Sequence, residues 1–369
     1  MSVEINVTEK DIKYAGEILL NNDEAFYDDN NERIDFIKSF ETSDLNAVPG
    51  SGKTTTLLAK LLIIEDRLPF DDGSGILVIS HTNAAIDEIK SKLKKYCPNL
   101  FSYPNFIGTI QSFVNQFLAK PYYNWVTKKR IIRINDEILE ESISRYKEFN
   151  GIPYWIKVNR RDPLTFLKHI TFDKNKRLIT GINSSHEKFP VGKDTKTYEY
   201  IYEFKNNLLN RGIISYEDAY FLANRYIRRF PKIISMISNR FSIVFVDEMQ
   251  DMSLHQHKIL EEIFYHNEEE NNNTVYQRIG DINQAIYEGG KIKTSDIWNP
   301  RVKNNITGSY RLSSENAKVV RFFAKEFQNI KSLAGKKKIK PHLIIYNDDN
   351  VRCQVIHKFV EVIKDFQDE

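Results

Sequence analysis

Apolar residues along the chain follow two patterns, short continuous runs and repeats at helical spacing. Continuous apolar runs at 76–80 and 243–246 predict buried strands, a third buried strand is predicted at 276–280, and a short strand is predicted at 45–48. Repeats at helical spacing predict helices at 54–63 and 84–93 and two more within the first 40 residues. Near the end of the chain, a strand is predicted at 343–346 and a helix at 351–366. Strands that alternate with helices indicate a parallel α/β sheet, which binds ligands at the carboxyl ends of its strands.

Between residues 119 and 212 the pattern becomes polar, basic and aromatic, which predicts a domain inserted into the α/β core. Within it, Tyr122, Tyr123 and Trp125 precede a basic run at 128–130. Aromatic rings stack on bases and cations hold phosphates, so this segment is a candidate DNA surface, with Trp125 as a contact. A solvated basic face over an ordinary aromatic core fits the pattern equally well, and both interpretations stay open.

Composition narrows the class of protein. The 369 residues are 41% hydrophobic and 28% charged, which is enough for two or three folded domains, and the net charge of +3 neither requires nor opposes nucleic acid. Cys97 and Cys353 show no zinc-binding spacing. The polar first ten residues lack the apolar segment of a signal peptide, and no apolar run has the length of a membrane span. We therefore expect a cytoplasmic protein without a membrane partner.

A phosphate-binding loop is predicted at residues 49–54, which read Pro-Gly-Ser-Gly-Lys-Thr between a strand and a helix. The glycines let backbone N–H groups surround phosphates at the helix N-terminus. Lys53 is expected to bridge the β- and γ-phosphates of ATP, and Thr54 to hold Mg²⁺. The predicted nucleotide contacts in this region are Ala47, Gly50, Ser51, Gly52, Lys53, Thr54 and Thr55.

Two carboxylates directly follow the predicted strand 243–246, in the sequence Asp-Glu-Met-Gln-Asp. A carboxylate at a strand end beside a phosphate loop suits a second Mg²⁺ anchor, and we assign this role to Asp247. Glu248 is expected to polarise the attacking water as a general base. An acidic helix cap is the ordinary alternative for either carboxylate alone, but the nearby phosphate loop favours catalysis.

These motifs and their order resemble the UvrD/Rep/PcrA-like helicases of superfamily 1A. The alanine that begins the phosphate loop, Ala47, is the residue typical of that family, and Asp-Glu-x-Gln-Asp is its second motif. Further segments similar to family motifs lie at 79–88, 108–113, 215–219, 280–287 and 309–311. The resemblance implies a RecA-like domain 1A at 1–118 and 213–307, an inserted and mostly helical domain 1B at 119–212, and the start of a second RecA-like domain, 2A, at 308–369.

The resemblance also implies site residues. Gln284 and Arg311 would meet the γ-phosphate, with Arg311 as an arginine finger, and Tyr310 would stack on adenine. The implied single-stranded DNA contacts are His81, Thr82, Asn83, Thr109, Gln111 and Tyr287. The chain departs from the family where Gly289 follows in place of a base-stacking ring, and in residues 31–34, where no adenine-reading glutamine is present.

The function implied is that of an ATP- and Mg²⁺-dependent translocase or helicase moving 3′ to 5′ on single-stranded or 3′-tailed DNA, in repair or in antiviral defence. The family's later motifs are not visible, which fits a fragment, a motor completed by a partner, or a degenerate motor. The alternative is a non-unwinding subunit that senses ATP and DNA ends beside a nuclease, as in Gabija-like antiviral complexes. RNA stays open as a track. A small-molecule kinase would not need Gln284 or Tyr310.

Overall fold

The computed structural model describes most of the chain. The described residues are 5–28, 30–131, 133–134, 136–150, 154, 156, 163–173, 175–182, 185–265, 274–284, 298, 300–301, 303–334, 341–345 and 354–368. Among them, no helix combines the length and the apolar character that crossing a bilayer requires.

A parallel sheet forms the centre of the molecule. The strands in chain order are β1 (Ser43–Ala47), β2 (Gly75–Ser80), β3 (Phe106–Thr109), β4 (Arg133–Ile134), β5 (Ile170–Phe172), β6 (Leu178–Ile182), β7 (Ser185–Lys188), β8 (Ile213–Ile214), β9 (Phe241–Val246), β10 (Val275–Gly280), β11 (Lys303–Ile306), β12 (Gly308–Ser309) and β13 (Lys331–Ser332). Six of these pair in parallel in the order β11-β1-β10-β9-β2-β3. This sheet confirms the predicted RecA-like α/β class, and its strands β1, β2, β9 and β10 overlap the four predicted ranges 45–48, 76–80, 243–246 and 276–280.

Helices cover both faces of this sheet. The α-helices are Glu9–Leu20, Glu32–Lys38, Lys53–Glu65, Asn83–Leu93, Ile110–Val114, Lys120–Thr127, Asp136–Asn150, Pro163–Lys168, Lys196–Asn210, Tyr216–Arg229, Lys232–Arg240, Leu254–Phe264, Ser314–Phe323 and Gln354–Asp368. One face carries a hydrophobic cluster around the buried helix Lys53–Glu65 and the N-terminal helices. The cluster on the opposite face continues into the segment 119–212. The predicted insertion therefore packs onto the sheet instead of forming a separate core.

The segment 119–212 contains more than the helices that the sequence predicted. Strands β5, β6 and β7 form an antiparallel sheet, and β4 pairs in parallel with β8. Each of these strands has five residues or fewer, too few for a clear alternation of apolar and polar positions. The domain boundaries proposed above stay predictions.

The C-terminal part begins with a small parallel pair, β12 and β13, on either side of the helix Ser314–Phe323. The prediction of a strand at 343–346 is wrong, because residues 343–345, the part that the structure describes, lie in no strand. Leu343 and Ile345 are 84% and 76% exposed, so no described neighbouring strand covers the apolar side chains that suggested one. The helix Gln354–Asp368 agrees with the prediction for 351–366.

Candidate nucleotide site and polar groove

The strand order sets two sites along one edge of the sheet. The phosphate loop follows β1, and Asp281 and Asp247 follow the next two strands across the sheet, β10 and β9. Farther along the same edge, His81 follows β2 and Thr109 ends β3. Because parallel strands end together, the first group of residues meets around the phosphate loop and the second forms a separate groove.

The phosphate loop has the backbone that its glycines allow. Gly50 and Gly52 adopt positive φ angles of 71° and 86°, and the buried helix Lys53–Glu65 begins directly afterwards. The Ser51 hydroxyl is buried and finds no hydrogen-bond partner among the described residues. An anion at the helix N-terminus would supply an acceptor for it, so the loop suits a phosphate chain.

Three predicted catalytic residues meet at the end of this loop. Lys53 Nζ lies 3.5 Å from Glu248 Oε2 and 3.5 Å from Gln284 Oε1. The Glu248 backbone is left-handed, with φ 52°, which is a strained conformation for a non-glycine residue and is typical of functional sites. It places the carboxylate away from β9 and towards the phosphate loop. The geometry therefore brings together the lysine, the carboxylate and the amide that the sequence predicted separately.

A magnesium ion is implied at this site, and its residues fit one. Asp247 is fully buried, and burial, followed by the Glu248 charge, raises the pKa of its carboxyl to about 7. A buried carboxylate in this state is stabilised in its ionised form by a nearby cation. Thr54, in the first turn of the helix Lys53–Glu65, adds a hydroxyl oxygen. Hard oxygen ligands of this kind, completed by phosphate oxygens, are those that Mg²⁺ prefers.

The segment carrying Tyr310 and Arg311 is docked on the phosphate loop. Tyr310 N donates to Gly50 O at 3.0 Å, and Ser309 Oγ donates to Pro49 O at 2.7 Å. A side chain at Gly50 would overlap Arg311 Cβ. Beside this contact lies a cavity of about 570 Å³. Its lining joins the loop to the N-terminal region: Leu20, Asn22, Ala25, Phe26, Arg33, Gly50, Gly52, Thr55, Thr56, Tyr310 and Arg311. The cavity has a place for a base against Tyr310.

Arg33 and Glu32 were not singled out from the sequence, yet they join the two halves of this site. Arg33 is 2% exposed, donates from Nη2 to Ser51 O at 2.8 Å and to Gly308 O at 3.0 Å, and pairs with Asp28. Its guanidinium lies 4.6 Å from the centre of the Tyr310 ring. Glu32 accepts from Thr307 N at 2.6 Å. The charged residues at 32–33 in an otherwise amphipathic helix were the available signal.

The polar groove holds the other predicted residues. A cavity of about 590 Å³ is lined by His81, Thr82, Asn83, Thr109, Ile110, Gln111, Ser112, Asn115, Ile134, Tyr216, Glu217, Tyr220, Ser253, His255 and Gln256. Five of the predicted DNA contacts therefore line the same groove: His81, Thr82, Asn83, Thr109 and Gln111. Tyr287 lies outside the described residues. Trp125 is absent from this lining; its ring packs edge-on to Phe230, with centroids 4.8 Å apart.

Among the described residues that line this groove there is no lysine or arginine, and Glu217 is acidic, so helix N-termini supply what positive character the groove has. Thr82, Thr109 and Ser253 cap three helices that begin at its wall, and Tyr216 is the first residue of a fourth. Each helix start carries a partial positive charge and backbone N–H groups. Burial lowers the pKa of His81, so its imidazole is neutral at pH 7. The groove is thus a polar channel that carries one described carboxylate, Glu217, and has several helix N-termini at its wall.

A parallel sheet of this order, with a phosphate loop, a strand-end Asp-Glu pair and a docked arginine segment, defines a RecA-like P-loop protein. Residues 31–294 match the family model for the UvrD/REP helicase N-terminal domain. The chain belongs to this family.

Known relatives agree with the family. The chain is 26% identical over 254 residues to a probable DNA helicase II homolog of Mycoplasma capricolum subsp. capricolum, covering 68% of this chain and 33% of that protein. It is 24% identical over 249 residues to a protein of the same name from Mycoplasma genitalium, covering 64% of this chain and 34% of that protein. The chain spans about a third of the length of these relatives.

Proposed function

We propose that this chain is an ATP-dependent DNA motor that hydrolyses ATP with Mg²⁺ and moves 3′ to 5′ on single-stranded DNA. The observation that carries the proposal is the meeting of Lys53, Glu248 and Gln284 within 3.5 Å contacts at the phosphate loop. The polar groove lies on the same sheet edge, one strand away from Glu248. Membership in a helicase family supports the pairing of these two sites.

The residues divide the chemistry between them. Lys53 binds the β- and γ-phosphates, and Glu248 takes the proton of the attacking water. Arg311 and Gln284 stabilise charge that develops on the transferred phosphoryl group. Thr54 and Asp247 would hold Mg²⁺, which, when bound, neutralises charge on the β- and γ-phosphate oxygens. Tyr310 offers its ring to the base.

Single-stranded DNA fits the groove in this proposal. The helix starts at Thr82, Thr109 and Ser253 direct N–H groups towards phosphates, while the neutral His81 ring offers a stacking surface. Asn83 and Gln111 supply amides for sugar or base contacts. Trp125 and Tyr287 remain proposed contacts outside this set.

The first experiment is ATP hydrolysis by the chain with and without single-stranded DNA. We expect DNA to stimulate hydrolysis. Lys53→Ala should abolish turnover, and Arg311→Ala should lower kcat by about 10³-fold or more, because an arginine finger stabilises the transition state. Hydrolysis that DNA does not stimulate, or that survives Lys53→Ala, would contradict the proposal.

Glu248→Gln separates binding from chemistry. The amide keeps the shape of the side chain but cannot accept the proton of water, so ATP should bind normally while turnover falls by about 10²-fold or more. Equilibrium binding of a fluorescent ATP analogue, beside the hydrolysis rate, measures both effects. Loss of binding equal to the loss of turnover would refute the general-base role.

Duplex separation distinguishes the motor from its alternative. A 3′-tailed duplex should be opened with ATP if the chain, alone or with a partner, acts as a helicase. ATP hydrolysis and DNA-end binding without opening would instead favour a sensing subunit beside a nuclease in an antiviral complex. Replacing the DNA tail by RNA tests the nature of the track. We place the protein in the cytoplasm.

A further inference from the structure

Gln328 occupies a position that no motif of the sequence suggested. It lies between the helix Ser314–Phe323 and β13, and it is 7% exposed. Its amide nitrogen donates to Asp281 Oδ1 at 3.0 Å and to Asn46 Oδ1 at 3.2 Å. Asn46 is on β1 and Asp281 follows β10, so one side chain ties the C-terminal segment to the two strands that carry the nucleotide site.

A continuous chain of hydrogen bonds runs from Gln328 to the proposed general base. Asp281 N donates to Gln250 Oε1 at 3.0 Å, and Gln250 Nε2 donates to Glu248 Oε2 at 2.6 Å. Asp281 and Gln250 are both buried. In a buried chain each polar group needs its partner, so moving one member leaves the next unsatisfied. The position of Glu248 therefore depends on the far end of this chain.

The other side of Gln328 leads to Arg311. Strand β13, which begins at Lys331, pairs with β12. Lys331 N donates to Thr307 O at 2.8 Å, and Leu333 N donates to Ser309 O at 2.7 Å. Ser309 stands two residues before Arg311. The segment around Gln328 thus contacts both the carboxylate chain and the segment that carries the arginine.

A second contact fixes the same segment. Asn283 Nδ2 donates to Glu326 O at 2.9 Å, and Glu326 N donates to Asn283 Oδ1 at 2.8 Å. Asn283 precedes Gln284, whose amide oxygen lies 3.5 Å from Lys53 Nζ. This reciprocal pair sets where the segment docks, and the buried amide of Gln328 then reaches Asp281.

We propose that Gln328 is a positioning residue for ATP hydrolysis, which holds Glu248 through Asp281 and Gln250 and aligns it with the Arg311 segment. The inference rests on the proposed ATPase function. Gln328 suits the role because one NH₂ group donates to two acceptors at once. This chain of hydrogen bonds includes no residue of the phosphate loop or of the cavity beside Tyr310. It therefore acts on turnover and leaves nucleotide binding unchanged.

The test compares Gln328→Leu with the wild type in steady-state ATP hydrolysis with saturating single-stranded DNA. We expect kcat to fall about tenfold while KM for ATP stays within about twofold, because only the transition-state arrangement is lost. Asn329→Ala is the control, because this neighbour is exposed and accepts a hydrogen bond from Arg321 Nη2 at 3.3 Å, outside the chain that leads to Glu248; its kcat should be unchanged. Thermal unfolding shows that each variant is folded, and Gln328→Met is the substitute if Leu is not tolerated.

A double variant separates positioning from general stability. Gln250→Leu breaks the same chain nearer Glu248, so adding Gln328→Leu should cost less than about twofold more in kcat. A further tenfold loss in the double variant, or an unchanged kcat in Gln328→Leu, would overturn the proposal. Absence of hydrolysis in the wild type would instead contradict the proposed function, and the positioning role with it.

Discussion

At the scale of single residues, Arg33 shows how one buried side chain joins distant parts of a site. Its donors reach Ser51 O and Gly308 O, it pairs with Asp28, and its plane lies over Tyr310. A buried guanidinium is stabilised only when its donors are satisfied in this way. Arg33 therefore fixes the Tyr310 ring relative to the phosphate loop before any base enters.

Arg33→Met is expected to raise KM for ATP about tenfold, because Tyr310 and the phosphate loop lose their shared anchor. It should also lower the free energy of unfolding by about 3 kcal/mol, since Asp28 stays buried without its partner. Hydrolysis kinetics and chemical denaturation measure the two effects.

Arg67→Met is the matched control for Arg33→Met. Arg67 pairs with Asp11 at 3.0 Å and donates to Asn6 O at 2.9 Å, and neither partner belongs to the nucleotide site. This variant should leave KM unchanged and cost about 1 kcal/mol or less. An equal rise in KM for both variants would show that Arg33 has no specific role.

His257 should make stability fall in mild acid. Burial lowers the pKa of this histidine to about 4; the Glu261 and Asp44 charges raise it, and those of Arg278 and Arg301 lower it. Between pH 6.5 and about 4 the unfolded chain binds a proton at this position and the folded chain does not, so the free energy of unfolding decreases as the pH falls.

The matching variant is His257→Gln, which cannot take up this proton. Urea denaturation at pH 7.5 and at pH 5 should show a loss of stability that is smaller in the variant by on the order of 1–2 kcal/mol. Equal losses in the two proteins would mean that His257 titrates alike in the folded and unfolded states.

At the scale of elements, the four strands that carry motifs were predictable and their outer neighbours were not. Strands β2 and β9 are runs of buried, mostly apolar residues, a pattern typical of a central parallel strand, whereas β1 and β10 mix apolar with buried polar residues and lead directly into motifs. Strand β11, at the edge, reads Lys-Asn-Asn-Ile and has no such pattern. Its pairing depends on β1, which is far away in sequence.

The same reasoning explains which site residues the sequence revealed. Lys53, Asp247 and Gln284 lie in short motifs at strand ends, where local order is enough to recognise them. Arg33 and Gln328 work through partners that the fold supplies: Arg33 and Gly308 are 275 positions apart, and Gln328 and Asn46 are 282 apart. No local pattern encodes such pairs.

Gly280, at the end of β10, lies against the hydrogen-bond chain that runs from Asp281 through Gln250 to Glu248. A Cβ at this position would overlap Gln250 Oε1 and lie 2.8 Å from the Trp298 ring. Gly280→Ala should therefore displace Gln250 from Glu248 and lower kcat about tenfold, with ATP binding retained.

Gly192→Ala is the control for Gly280→Ala, because a Cβ there meets nothing within 4 Å. Hydrolysis and binding of a fluorescent ATP analogue are measured for both variants. If Gly280→Ala turns over ATP at the wild-type rate, the contact between Gly280 and Gln250 does not matter for catalysis.

At the scale of the whole molecule, the strand order makes the nucleotide site and the groove neighbours. Strand β9 lies between β10 and β2, and it delivers Asp247 and Glu248 at its end. Asp247 N donates to Ile79 O at 2.8 Å, which links this end directly to the strand that precedes His81. A change at the phosphates thus has a short path to the groove wall.

We expect this arrangement to couple the two ligands. A non-hydrolysable ATP analogue should change the Kd of a labelled single-stranded oligonucleotide by about fivefold or more, as measured by fluorescence anisotropy. Thermodynamic linkage then requires the oligonucleotide to change the Kd of the analogue by the same factor. Gln250→Leu should bind both ligands but reduce the factor towards one, because Gln250 donates to Glu248 and so holds the end of β9 that is bonded to Ile79 through Asp247 N. Independent binding of the two ligands in the wild-type chain would mean that the shared sheet edge positions the sites without joining them.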